Sequence, residues 1–280
     1  MLTALTIKDY SVKKSRFKLF KRDKTNLEVV EYNGVRIVHI IYSKYNKNIN
    51  WNKIKELAGN EKNNILCSAD ISIPKNIGIK RYSTNTLKER ISENTALEVI
   101  KRCSDNFSSL KIGLYDPNAN KKDLIRTLIK YTDSITVVTN LTEEYYQVYK
   151  QTIADTGAVL ILKQSVSALK NCNIVIAPEK IKTQLPVDDN TIIFTSSKPS
   201  VCQQGRVFTS YVVILNESYK EIKPHSLSDE YFTQALYDKG KQYRLGTLLP
   251  ILCISESGNS TIDEISRIVL QHANNYSNNV

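Results

Sequence analysis

The residues with the clearest potential for chemistry lie in a short loop at positions 116–120, with the sequence Asp-Pro-Asn-Ala-Asn. An apolar run over 110–115 precedes this loop, and a helical stripe of apolar residues follows it over 120–131. In a dinucleotide-binding domain the same kind of turn carries G-x-G-x-x-G, so that main-chain amides approach a pyrophosphate. The loop here has no glycine and begins with Asp116, and like charges 4 Å apart near a protein surface repel by about 4 kcal/mol. The loop therefore disfavours NAD(P) as the ligand.

Strands and helices are predicted to alternate from residue 110 onward. The predicted strands span 110–115, 135–139, 158–162, 173–177, 191–195 and 211–215. Helices are predicted over 120–131, 142–156 and 165–170. Continuous apolar strands separated by amphipathic helices predict a Rossmann-like parallel sheet with helices on both faces.

In open sheets of this kind a ligand binds beyond the carboxyl ends of the strands, where the strand order reverses. We expect the crevice at this point to contain the polar and small residues that follow the predicted strands. These candidate ligand residues are Asp116, Asn118, Thr139, Asn140, Ala177, Pro178, Thr195, Ser196 and Ser197.

The first part of the chain predicts an α+β domain. Runs of β-forming residues on both sides of Asn33-Gly34 indicate a hairpin within an antiparallel meander of about three strands, because both residues tolerate positive φ. Further predicted elements are a helix over 51–58, a strand over 64–73 and a helix over 84–103 with a break near Asn94. We expect an N-terminal domain over 1–109, a Rossmann-like domain over 110–225, and C-terminal helices over 226–280 that pack back on the core.

A net charge of +11 and a pI of about 9.2 suggest a nucleic-acid partner. Abundant lysine, asparagine, isoleucine and tyrosine are typical of an AT-rich coding sequence, however, and lysine of that origin is spread over the surface. One segment is locally basic, and its residues are candidate polyanion contacts: Lys13, Lys14, Arg16, Lys18, Lys21 and Arg22. The alternative is a solvated edge strand whose lysines oppose aggregation.

Several other classes of protein and site are disfavoured. The sequence contains no run of eighteen apolar residues, so no membrane span is predicted. The N-terminus lacks the apolar stretch of a secretory signal, and we therefore expect a cytoplasmic protein. The five cysteines are scattered singly, which fits reduced thiols and gives no metal-ligand spacing. The phosphate-loop, nucleophile-elbow and zinc-protease motifs are absent from the sequence.

The segment 135–195 resembles the NAD(P)-binding half of the shikimate dehydrogenase-like Rossmann domains. The resemblance rests on VVTNLTEEYYQ, on LKNCNIVIAPEKI and on LPVDDNTIIFTSSKP, and it covers about a third of the chain. The arginine that the family places after the second strand is Leu141 here. The sequence Ser72-Ile73-Pro74-Lys75 also resembles the family's T-I-P-x-K signature, which would make Lys75 an acid or base, although the lysine comes one position early.

Three functions remain open from the sequence. The first is a non-catalytic protein that has lost the glycine loop and now senses a small ligand or contacts another protein. The second is an NAD(P)-dependent oxidoreductase in which Asn118 and Asn120 replace glycine, so that Asp116→Ala would strengthen cofactor binding. The third is a nucleic-acid-binding protein that uses the basic segment.

Overall fold

The computed structural model describes residues 1–10, 22–46, 48–104, 110–240 and 242–277. Its described strands form two sheets. The smaller has the order β2-β3-β1-β4 and the larger has the order β12-β11-β10-β9-β8-β5-β6-β7. The strands of the small sheet are β1 (Leu2–Asp9), β2 (Lys24–Tyr32), β3 (Val35–Lys44) and β4 (Ile65–Cys67). Those of the large sheet are β5 (Ile112–Tyr115), β6 (Ser134–Val138), β7 (Val159–Lys163), β8 (Ile174–Ala177), β9 (Ile192–Thr195), β10 (Arg206–Val212), β11 (Leu252–Ser255) and β12 (Gly258–Ser260).

Seven α-helices accompany these strands in the described part of the chain. They are α1 (Trp51–Ala58), α2 (Thr86–Ser104), α3 (Lys122–Leu128), α4 (Thr142–Thr156), α5 (Glu217–Lys220), α6 (Asp229–Lys239) and α7 (Ile262–Ser277). None of the described helices has the length and apolar character needed to cross a bilayer. The predicted fold class, an α+β part followed by a Rossmann-like parallel sheet, is confirmed.

The small sheet is built around the predicted hairpin. Asn33 and Gly34 both have positive φ, 48° and 76°, and connect β2 to β3 in antiparallel pairing. β1 lies between β3 and β4 and runs parallel to both, so the sheet is mixed. One side of it packs on α1 through Leu5, Ile40 and Trp51. The other side contributes Ile37 to a core with Phe232 of α6.

The large sheet has the strand order of a dinucleotide-binding domain. β5 lies next to β6 and then β7 on one side, and next to β8, β9 and β10 on the other, with all of these pairs parallel. The chain therefore reverses its direction of winding between β5 and β8. β11 and β12 extend the sheet in antiparallel pairing, which the sequence analysis did not predict.

The chain forms two compact units. The first comprises Met1–Thr86 and Ile214–Gln242, and the second comprises Leu87–Val213 and Tyr243–Val280. The domain limits expected from the sequence, after residues 109 and 225, remain a prediction. Helix α2 falls in the second unit because its buried polar groups bond there: the Asn94 side-chain amide donates to the Leu248 carbonyl at 2.9 Å. The helix is also continuous through Asn94, where a break was predicted.

Candidate functional site

The crevice at the reversal between β5 and β8 brings together two loops. The loop after β5 holds residues 116–121, and the residues that follow β8 are Pro178 and Glu179. Both loops leave the carboxyl ends of parallel strands, which is where ligands bind in sheets of this order. Most of the predicted ligand residues lie in or beside these two loops and the loop after β6.

Asp116 is not an exposed anion in this crevice, which corrects the sequence-based expectation. The residue is 1% exposed, and its carboxylate accepts hydrogen bonds from the backbone N–H groups of Asn120 (3.1 Å) and Lys121 (2.8 Å). These amides belong to the last two loop residues before α3, so the carboxylate satisfies main-chain donors that would otherwise be free in the loop. In a glycine-rich loop such amides are free to donate to a pyrophosphate. In this loop they donate to the carboxylate of its first residue, Asp116.

Tyr145 of α4 completes the environment of Asp116. Its hydroxyl donates to Asp116 Oδ2 at 2.6 Å, and the ring is fully buried. Burial, followed by the charge and hydrogen bond of Asp116, raises the pKa of Tyr145 well above its ordinary value. The tyrosine therefore stays protonated and donating, and it ties α4 to the loop after β5.

The side-chain amides of Asn118 and Asn120 remain directed at an anion, and that anion is Glu179. Asn118 Nδ2 donates to Glu179 Oε2 at 2.7 Å, and Asn120 Nδ2 donates to Glu179 Oε1 at 2.7 Å. One carboxylate is thus held by two amides across the point where the strand order reverses. Glu179 is not among the predicted site residues, although its place directly after Pro178 at the end of a buried strand is a usable signal.

Glu179 also affects its surroundings. Burial raises the pKa of Tyr115 at the end of β5, and the negative charge of Glu179 raises it further. The backbone carbonyl of Glu179 accepts a hydrogen bond from Thr195 Oγ1 at 3.1 Å. This bond ties the loop after β8 to the end of β9 and limits the movement of the Glu179 backbone.

The loop after β6 has a structural network of its own. Thr139 is buried, its N–H donates to the Lys163 carbonyl at 3.0 Å, and its hydroxyl accepts from the Leu141 N–H at 3.2 Å. Asn140 is exposed, and its N–H donates to the Pro117 carbonyl at 3.3 Å. The loops after β5 and β6 are therefore joined through the backbone.

A partly buried cluster of charged side chains lies beside the loop after β5. Lys121 Nζ is 2.8 Å from Glu89 Oε2 and 2.8 Å from Glu93 Oε1, and Glu93 also pairs with Arg90 at 2.8 Å. Burial lowers the pKa of Lys121, but the two carboxylates outweigh this effect and leave it above its ordinary value. The lysine therefore forms ion pairs with two glutamates of α2, and these carboxylates balance its charge.

The remaining predicted residues have different outcomes. Ala177 ends β8 and is buried, Ser196 is also buried, and the buried Oγ of Ser197 has no hydrogen-bond partner among the described residues. Lys75 is exposed in a 3₁₀ turn over Lys75–Ile77, with no carboxylate within ion-pair distance among the residues described. Arg22 is exposed, whereas the other five basic candidates, Lys13, Lys14, Arg16, Lys18 and Lys21, lie outside the described residues, as does the strand expected there.

A separate cleft lies away from this crevice. It has a volume of about 610 Å³ and is enclosed by residues 198–203 on one side and by β10 and the end of β11 on the other. The exposed thiol of Cys202 lines it, and an ion pair between Lys198 and Glu256 (2.7 Å) stands at its wall. In the part of the chain that the structure covers, no three residues of the types that ligate metals are grouped closely enough to hold an ion.

Comparison with known proteins finds similarity only to solved structures. No protein-family model matches the sequence, and no curated protein matches it. A probable ornithine cyclodeaminase from Bordetella pertussis Tohama I is similar over 39% of this chain and 36% of its own, with 12% identity and a TM-score of 0.30. The chain thus spans little more than a third of that protein's length.

Two further solved structures are similar over a larger share. The Thermococcus litoralis Delta(1)-pyrroline-2-carboxylate reductase, in complex with NADH and L-proline, matches 69% of this chain and 67% of its own at 10% identity and a TM-score of 0.31. The iminosuccinate reductase of Paracoccus denitrificans, in complex with NAD+, matches 71% and 67% at 9% identity and a TM-score of 0.30. At such identities the likeness concerns the fold.

These comparisons correct two predictions. The first prediction, a non-catalytic ligand-sensing or interaction protein, is wrong. The three solved structures named above are those of enzymes, and two of them hold NAD+ or NADH. The resemblance to shikimate dehydrogenase-like domains holds only at the coarser level of a Rossmann-like fold.

Proposed function

We propose that this chain is an NAD(P)-dependent oxidoreductase of the Rossmann type, in which side-chain amides replace the glycine loop. The observation that carries the proposal is the pair of amides from Asn118 and Asn120, which converge on one carboxylate where the strand order reverses. An oxyanion of a phosphate presents the same kind of acceptor to these donors.

The main-chain amides and the side-chain amides of the loop differ in whether they can bind the phosphates of a dinucleotide. The main-chain amides of Asn120 and Lys121 do not fit a pyrophosphate, because the buried Asp116 carboxylate already accepts from both. The side-chain amides of Asn118 and Asn120 do fit one phosphate group, since Glu179 already shows them acting together on an anion. The phosphate would then take the place of the Glu179 carboxylate.

When bound, NAD(P) supplies hydride transfer. The residues of the chain have separate tasks in this proposal. Asp116 and Tyr145 hold the loop rigid, so that Asn118 and Asn120 keep their spacing. Glu179 acts as an internal competitor, because its carboxylate must leave the two amides before an anion binds there. Its own charge, if it stayed at about 4 Å from a phosphate, would oppose binding by about 4 kcal/mol.

Titration of the full chain with NADH and with NADPH, followed by nucleotide fluorescence, tests this proposal. Glu179→Gln removes the competing charge at nearly constant shape, and we expect it to lower the Kd at least about tenfold, or about 1.4 kcal/mol. Asn118→Ala and Asn120→Ala should each raise the Kd by a similar factor or more.

Glu256→Gln is the matched control, since Glu256 is an exposed glutamate that pairs with Lys198 instead of with asparagines. It should leave the Kd unchanged. The proposal fails if Glu179→Gln binds neither nucleotide at about 1 mM, or if the two asparagine variants bind as tightly as the parent protein.

A further inference from the structure

The residue between the two asparagines of the proposed phosphate site has a strained backbone. Ala119 has a φ of 54°, in the left-handed region, and its side chain is buried. For residues other than glycine this conformation costs free energy, because it brings Cβ close to the following carbonyl oxygen. A strained residue persists only where the surrounding structure determines the backbone on both sides of it. The contacts on the two sides of Ala119 therefore decide whether Asn118 and Asn120 keep their positions.

The first half of the loop is held by main-chain hydrogen bonds. The Ala119 N–H donates to the Asp116 carbonyl at 3.2 Å, and the Pro117 carbonyl accepts from the loop after β6 at 3.3 Å. The Asp116 carboxylate also accepts from the last two amides of the loop, at 3.1 and 2.8 Å, and so closes the loop on itself. The position of the far end relative to its surroundings therefore depends on a side-chain contact outside the loop.

Lys121, the last residue of the loop, makes this contact with helix α2. Its Nζ lies 2.8 Å from Glu89 Oε2 and 2.8 Å from Glu93 Oε1, and the Glu93 side chain is only 3% exposed. Removal of one member of a buried ion pair leaves its partner without a counter-charge, so the lysine is held firmly at these carboxylates. Arg90 pairs with Glu93 at 2.8 Å, so the charges of this cluster balance. The ammonium group therefore fixes the end of the loop and is not directed at a ligand.

Helix α2 is in turn a fixed support for Glu93. The next residue, Asn94, is fully buried, and its Nδ2 donates to the Leu248 carbonyl at 2.9 Å. Its Oδ1 accepts from the Gly246 N–H at 2.5 Å. Movement of α2 at this point would leave both polar ends of a buried side chain without partners, which is costly. Glu93 consequently keeps its place, and so does the lysine that it binds.

We propose that Lys121 and Glu93 are positioning residues for the pair of side-chain amides from Asn118 and Asn120. The inference rests on the proposed function, since it concerns the same site. The ion pair fixes the far end of the loop, and the fixed end keeps Ala119 in its left-handed conformation. That conformation keeps the two amides converging on one anion. Neither positioning residue contacts the nucleotide, because both act through the backbone of the loop.

Titration of the full chain with NADH, followed by nucleotide fluorescence, gives the first measurement. Lys121→Met removes the charge and keeps a side chain of similar length, and we expect the Kd to rise at least about tenfold. If the unpaired glutamates prevent folding, the double variant Lys121→Met/Glu89→Gln replaces it. In that variant Glu93 keeps Arg90 as its counter-charge, and the same rise in Kd is expected.

Lys122→Met is the matched control. Lys122 is the next residue in the chain, and it forms an ion pair of the same length, 2.8 Å, with Glu144 of α4. The side chain of Glu144 is 58% exposed, and exposed pairs hold their partners weakly. The Kd of this variant should therefore match that of the parent protein.

Ala119→Gly separates positioning from direct contact. Glycine adopts the left-handed conformation without the steric cost of a Cβ, so the loop no longer depends on the ion pair to hold it. In the Lys121→Met chain this second change should recover the affinity at least about threefold. A lysine that touched the nucleotide, or that only stabilised the fold, could not be replaced by a glycine two residues away.

Hydrogen exchange followed by mass spectrometry gives a measurement that needs no nucleotide. In the free protein the N–H groups of Asn120 and Lys121 are bonded to the buried Asp116. Lys121→Met should speed exchange in a peptide covering 116–121 at least about tenfold and leave a peptide covering β6 unchanged. If the parent protein binds neither NADH nor NADPH, the proposed function fails, while the exchange rates still decide whether Lys121 holds the loop.

Three results overturn the inference. If Lys121→Met and the double variant bind NADH as tightly as the parent protein, the ion pair does not position the amides. If Ala119→Gly restores none of the lost affinity, the backbone of Ala119 is not the link between the ion pair and the site. If exchange over 116–121 is unchanged in Lys121→Met, the loop is held without the ion pair.

Discussion

Replacement of Asp116 by alanine gives a strong test of the role that the structure gives this residue. The sequence suggested that the change would relieve repulsion and strengthen cofactor binding. In the structure the carboxylate is buried and accepts from two backbone amides and from the Tyr145 hydroxyl. We therefore expect Asp116→Ala to destabilise the fold.

The size of the effect follows from these contacts. Loss of the hydrogen bonds that the two loop amides donate to the carboxylate costs about 1 kcal/mol or more. The Tyr145 hydroxyl, fully buried, would keep no acceptor, and an unsatisfied buried group costs about 1–3 kcal/mol. The sum is about 3 kcal/mol, and at about 2–4 °C per kcal/mol the melting temperature should fall by about 6–12 °C. Urea unfolding followed by circular dichroism measures the free energy directly.

A double-mutant cycle separates the two contributions. Tyr145→Phe removes only the hydroxyl, and the double variant Asp116→Ala/Tyr145→Phe should be less unstable than the sum of the single changes by about 1–2 kcal/mol. Tyr146→Phe is the control, because Tyr146 is 46% exposed and lies next to Tyr145 in the chain. If the free energy of unfolding of Asp116→Ala lies within about 0.5 kcal/mol of that of the parent protein, the contribution assigned to these hydrogen bonds and to burial is refuted.

Two further predictions concern the interior of the second unit and the thiols. Gly113→Ala places a Cβ 2.6 Å from Leu169 Cδ2 and 3.0 Å from Cys172 Sγ, so we expect a loss of about 1–3 kcal/mol in urea unfolding, and an unchanged midpoint would contradict the packing. Of the five cysteines only Cys202 is exposed. Burial raises the pKa of Cys103 to about 11 and the pKa values of Cys172 and Cys253 to about 12. These three thiols therefore stay protonated at pH 8. A thiol reagent such as Ellman's should therefore react rapidly with one thiol in the native protein and with none in Cys202→Ser; fast reaction of several thiols would contradict the burial.

The sequence by itself determined the features that depend on neighbouring residues. The Asn33-Gly34 hairpin forms as predicted, because two residues that accept positive φ suffice to make the turn. Helix α4 begins at Thr142 and ends before Gly157, whose left-handed conformation closes it. A capping box is present at the start of α7, with the Thr261 N–H donating to Glu264 Oε2 at 2.7 Å. Such signals act over a few residues and are readable from the chain.

The tertiary structure decided which groups meet. Glu179 lies about sixty residues beyond Asn118 and Asn120 in the chain, and only the adjacency of β5 and β8 brings them together. The sequence presents Asp116 as an exposed anion that would repel a phosphate. In the folded chain the carboxylate is buried and accepts from backbone amides of its own loop, so that it has a structural role. Local patterns specify what each segment becomes, whereas the partners of a polar side chain depend on long-range strand pairing, which a single sequence does not record.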